Sequence, residues 1–80
     1  MKISLGATLR EGRSGIEARN QIIRLTGHGL SQDDAIESLK RGISAWCYGL
    51  REAGILENVL NRKGIEFIKD GESILVDIKV

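Results

Sequence analysis

A lone histidine, His28, stands between Gly27 and Gly29, and an imidazole on so mobile a loop could act as a general base or a metal ligand. Base catalysis needs a positioned partner, and no cysteine or carboxylate cluster lies near it in the sequence; the other reading is a polar loop residue. Asp33 and Asp34 have the chemistry of a magnesium pair. Neighbours on a helix point a quarter-turn or more apart, however, and two acids there also complement the positive end of a helix dipole. Cys47 falls beside Trp46 in an apolar stripe, where burial disfavours the thiolate a reactive cysteine requires. Being the only cysteine, it makes neither an internal disulfide nor a structural zinc site. Gly12, Gly15, Gly27 and Gly29 match no dinucleotide or phosphate loop, and Asp33 and Asp34 already fill the field an anion would take. Arg10, Arg13, Arg19 and Arg24 would meet phosphates if one hairpin face gathered them, and form a solvated face otherwise. Nothing here composes an active site. The expectation is a non-enzymatic protein with no cofactor and no metal, and a small hydrolase built on His28 or Cys47 is the competing enzyme class.

Bulk properties narrow the classes further. The 80 residues are 41% hydrophobic and 29% charged, too apolar for disorder and too interrupted for a membrane span. They form one domain, residues 1–80, with a thin aliphatic core, because only one Phe, one Trp and one Tyr are present. The N-terminal MKISLGATLR lacks the apolar block of a signal peptide, so a cytoplasmic protein is expected. A net charge of +1 is unlike the strong excess of a dedicated nucleic-acid module. Residues 1–30 nevertheless carry five basic against two acidic side chains, a local +3 that would attract an anionic partner.

The elements that would position these groups follow from periodicity. Ala35, Ile36, Leu39, Ile43, Trp46, Cys47 and Leu50 recur at spacings of three and four, which predicts an amphipathic helix over residues 32–53. Ser31 is its N-cap, with Asp34 three residues on as in a capping box, and Gly54 is its stop. Ahead of it, Ile3, Leu5, Ala7 and Leu9 alternate with small or polar residues as one strand. Residues 11–15 read as a hairpin connection. The phase of residues 16–26 shifts near Asn20 to Ile22, which reads as a bulge or a bent strand, and Gly27 to Gly29 as a crossover into the helix. A short second helix follows around Leu56, Val59 and Leu60, closed by Gly64. The remainder alternates from Ile65 to Val80 around an Asp70-Gly71 turn, a strand or a hairpin.

The segment GLSQDDAIESLKRGISAWCYGL resembles the helix signature of the HicB-like family, antitoxin-type partners of small mRNA-cleaving toxins and their stand-alone relatives. The matching positions are Gly29, Ser31, Asp33, Asp34, Ala35, Leu39, Ile43 and Tyr48, within residues 16–53. The family's proline-bearing strand end is replaced here by LTGHG, and no added DNA-binding segment follows. The resemblance implies a compact β-β-β-α-β or β-β-α-β unit that dimerises, with a small toxin protein as partner, and transfers no catalytic residue.

The fold expected is therefore α+β: β-β-α-β or β-β-α-β-β in two layers, a mostly antiparallel sheet with one long helix on one face. The function expected is an interaction or regulatory protein acting as a homodimer. The dimer is argued independently of the family, from the thin core and from the open edge of the last strand. Tyr48, Ile22, Ile23 and Leu75 are the expected interface residues. The alternatives are a nucleic-acid-binding module using Arg10, Arg13, Arg19 and Arg24, and a phage-type accessory protein.

Overall fold

Ala35, Leu39, Ile43 and Cys47 form the buried face of a helix, α1, spanning Gln32–Glu52 in the computed structural model, which describes residues 1–80. Ser31 sits in extended backbone and its Oγ accepts the Asp34 amide at 3.1 Å, one of the orphan donors of the first turn. Past the far end, Gly54 takes φ 74°. The Gly54 amide bonds the Arg51 carbonyl at 2.9 Å and the Ile55 amide bonds the Leu50 carbonyl at 3.0 Å, a Schellman closure. Helix α2, Leu56–Lys63, closes the same way on Gly64, its face carried by Leu56 and Leu60.

The strands divide where side-chain alternation shows no break. Residues predicted as one strand form two, β1 (Lys2–Gly6) and β2 (Thr8–Gly12), separated at Ala7 and belonging to different three-stranded sheets. β2 pairs antiparallel with β3 (Gly15–Asn20) around the two-residue turn Arg13-Ser14, and β3 with β4 (Leu25–Gly29). β1 is instead the centre of the order β5-β1-β6. It pairs antiparallel with β5 (Glu66–Ile68) and parallel with β6 (Leu75–Lys79). The C-terminal hairpin expected around Asp70-Gly71 does not form, because β1 is inserted between its two arms.

Two further expectations are corrected. The phase shift near Asn20 is a turn between β3 and β4, not a bulge: the Arg24 amide bonds the Asn20 carbonyl at 2.9 Å, and Arg24 takes φ 64° to turn the chain. The Asn20 side chain, almost wholly buried, donates through Nδ2 to the Gly6 carbonyl at 2.8 Å and accepts the Ile23 amide at 2.7 Å. It thus ties this turn to the point where the chain changes sheets, and both of its polar ends are satisfied. Gly27 and Gly29, expected in a crossover loop, lie in β4 facing the helix. A Cβ on Gly27 would stand 2.8 Å from the Leu39 Cα and nearer still to the Leu39 nitrogen and the Ala35 oxygen. Only glycine lets β4 and α1 come so close.

α1 packs on β3, β4 and β6, so both sheets turn the same face to it. The core gathers Ile3, Leu5, Ala18, Leu39, Ile43, Cys47 and Leu60 with neighbours from α2, β5 and β6. From Ile3 to Leu9 the strip β1–β2 keeps its odd-numbered side chains inward and its even-numbered ones outward, and Glu11 at its far end is exposed. No helix is long and apolar enough to cross a membrane.

Candidate functional site

The outer face of the sheet β2-β3-β4 is built in cross-strand rows. One row reads Thr8, Arg19, Thr26 and the next Arg10, Glu17, His28, since those residues are register partners. Arg19 Nη1 donates to Thr26 Oγ1 at 3.0 Å, which ties the guanidinium to β4. His28 Nδ1 lies 3.9 Å from Glu17 Oε1, beyond hydrogen-bond reach, and both side chains are open to solvent. Glu17 stands between Arg10 and His28 and offsets part of the Arg10 charge. Of the four arginines, the structure brings Arg10 and Arg19 onto one face and separates the others. Arg13 occupies the β2–β3 turn, and Arg24 the β3–β4 turn at the opposite end of the strands. A polar hollow of about 140 Å³ at the tip is lined by Arg13, Ser14, Glu17 and His28 with flanking glycines. It has room for a few waters or a small anion.

The expected interface residues fall in three places. Ile22 and Ile23 belong to the β3–β4 turn, not to a strand, and Ile22 is exposed while Ile23 folds against the core. Leu75 lies on the outer face of β6, in a row with Lys2 and Ile68. Tyr48 is partly exposed, but its hydroxyl accepts the Ile74 amide at 3.3 Å and the Arg51 guanidinium covers its ring at 4.6 Å. Arg51 also donates to the Glu72 carbonyl, so this pair fastens α1 to the loop ahead of β6.

The sequence marks that loop as the Asp70-Gly71 turn and not as a site. The Met1 ammonium donates to the carbonyls of Asp70 and Ser73, each at 2.6 Å, and of Gly71 at 3.2 Å. Lys69 and Glu57 form an ion pair at 2.8 Å beside it. Where Met1 meets the ends of the two helices opens a cleft of about 380 Å³ lined by Met1, Arg51, Gly54, Leu56, Glu57 and Asn58. The sequence signals are that turn and the basic residue Arg51 in the last helical turn, which serves the loop as well as the dipole. Asp33 and Asp34 stand exposed in the first turn of α1. Burial pushes the Cys47 thiol up to about 11, which keeps it protonated and slow to react.

Both sheets leave edges open. The Met1 carbonyl accepts the Leu75 amide at 2.8 Å and the Ala7 amide donates to the Lys79 carbonyl at 2.9 Å, so the odd-numbered backbone groups of β6 face β1. Val76 and Ile78 therefore point their amides and carbonyls the other way, toward an edge that no strand occupies. No family model, curated protein or solved structure matches the chain.

Proposed function

We propose that this chain is a non-enzymatic interaction protein that works as a homodimer and binds a protein partner. The arrangement is HicB-like and the role antitoxin-type, with a small toxin as partner. The observation that carries the reading is the pairing of open sheet edges with exposed apolar side chains. Ile68 on the edge strand β5 and Leu75 on the edge strand β6 are 66% and 63% exposed, and Val80 beyond β6 is 70% exposed. Unpaired strand edges beside apolar groups gain both hydrogen bonds and burial from a second chain, while a lone chain leaves both to water. β2-β3-β4-α1 matches the β-β-β-α part of the unit that the helix signature implies, whereas the strands after α1 join the other sheet. The test is sedimentation across a dilution series near neutral pH, followed by titration with a purified small toxin encoded beside the gene. A mass of one chain at high micromolar concentration, with no toxin binding, would sink the proposal.

A second reading rests on Arg10 and Arg19 sharing one exposed face: a nucleic-acid binder. Binding through phosphates weakens steeply with added salt as counterions are released, whereas partner binding through strand edges and apolar side chains does not. Arg10→Ala with Arg19→Ala should then abolish nucleic-acid retention and leave the oligomeric state unchanged.

A further inference from the structure

We infer that the second copy of the chain adds to the open edge of β6, antiparallel, about a two-fold axis through Ile78. The inference rests on the homodimer reading and specifies its surface and register. In a two-fold strand pair, facing residues must lie on the same side of the sheet, so the axis passes through a residue and not between two. It must also pass through a residue whose amide and carbonyl point outward if the central pair is to exchange both hydrogen bonds. On β6 that leaves Val76 and Ile78, and an axis at Asp77 or Lys79, where the flanking pairs would carry the hydrogen bonds, sets two like charges face to face. Centring on Val76 sets Leu75 against the Asp77 carboxylate, an apolar group against a charge. Centring on Ile78 sets Asp77 against Lys79 of the second copy and Lys79 against its Asp77, two ion pairs on the outer face. On the inner face the same register matches Ile78 with Ile78 and Val76 with Val80, apolar against apolar. One register therefore satisfies charge, side-chain alternation and backbone pairing together. The product is a continuous sheet in the order β5-β1-β6-β6-β1-β5, whose two α1 helices lie on the same side.

Charge reversal tests this without touching the core, because Asp77 and Lys79 lie on the outer face. Lys79→Glu and Asp77→Lys each replace two cross-strand attractions per dimer by repulsions, which should weaken dimerisation by roughly tenfold or more in sedimentation equilibrium. The double exchange Asp77→Lys with Lys79→Glu should restore the wild-type dissociation constant within about threefold on the same reckoning. An equimolar mixture of the two single variants should form a heterodimer, since each then supplies what the other lacks. If the wild type dimerises and Lys79→Glu leaves it unchanged, or the double exchange fails to restore it, the β6 register is overturned while the homodimer stands on another surface. If the wild type is a monomer at high micromolar concentration, both fall.

Discussion

Gly27→Ala tests the closeness of β4 and α1 with one methyl group. The added Cβ would stand 2.8 Å from the Leu39 Cα, whereas ordinary contact begins at 3.4 Å, so that atom alone requires the helix to retreat by about 0.6 Å. The Leu39 nitrogen and the Ala35 oxygen are nearer and require more. All three are backbone atoms, held by helical hydrogen bonds, so no rotamer change relieves the overlap. Lifting α1 also loosens Leu39 and Ile43, which are almost wholly buried on the same face. Overpacking of side chains costs about 1–3 kcal/mol, and a backbone clash belongs at or above the top of that range, about 3 kcal/mol. In a domain this small that corresponds to a fall in Tm of roughly 12–24 °C. The control is Gly49→Ala on the same helix, where a Cβ meets nothing within 4 Å. It should stabilise by about 0.5–1 kcal/mol, because alanine restricts the unfolded chain and favours the helix. Urea unfolding followed by circular dichroism and by Trp46 fluorescence measures both. A loss below about 1 kcal/mol at Gly27, or any loss at Gly49, would refute the packing described for β4 on α1.

Leu39→Ala should cost about 2–5 kcal/mol through lost burial and a cavity, while the solvent-edge Lys40→Ala stays within about 0.5 kcal/mol; equal losses would reverse the helix orientation. Asn20→Ala strands the Gly6 carbonyl and the Ile23 amide and should cost about 1–3 kcal/mol, with the Ile23 amide exchanging faster with deuterium than in the wild type. The Cys47 thiol, raised from 9.0 to about 11 by burial, ionises in the unfolded chain first. Its contribution is fully present below pH 9.0 and is lost as pH climbs toward 11, so wild type should lose more stability over that interval than Cys47→Ala. A thiol reagent should label native Cys47 far more slowly than the urea-unfolded chain.

α1 was legible because its face is written locally: four residues at helical spacing, a serine before them and a glycine after. The strand break at Ala7 was not legible, and the reason is geometric. Ile3, Leu5, Ala7 and Leu9 hold one phase across the break because the chain keeps its inner face while it changes neighbours. Side-chain period records which face is buried and is silent on which strand lies alongside. The same silence misled at Asp70-Gly71, a sound turn signal whose flanking strands are parted by a segment from the other end of the chain. At β4 two of the three inward positions are Gly27 and Gly29, and a glycine carries no side chain to announce a face, which leaves Leu25 alone to do so. The glycine spacing of two was the usable signal, since in a strand it marks close approach by another backbone. Of the candidate site, the grouping of Arg10 with Arg19 follows from the hairpin register. Arg13 and Arg24 sit in turns at opposite ends of the strands, and only the second turn, hidden in the apparent phase shift, separates them.

The change of partners at Ala7 also divides the molecule by the distance its contacts span along the chain. β2, β3, β4 and α1 join residues that are near in sequence, so their loops close at small entropic cost. β1 and β6 join Lys2 to Leu75 and Gly6 to Lys79, so nearly the whole chain must be in place before that pairing forms. Long-range parallel pairing is slow to form, because the loop must close before its contacts repay the entropy. Were that pairing to open, the sheet β2-β3-β4 would keep its own ladder, although Ile3 and Leu5 of β1 would leave the core. In the proposed dimer a second copy on β6 would bind only with β1 and β6 paired, and mass action would then add stability to this long-range pairing.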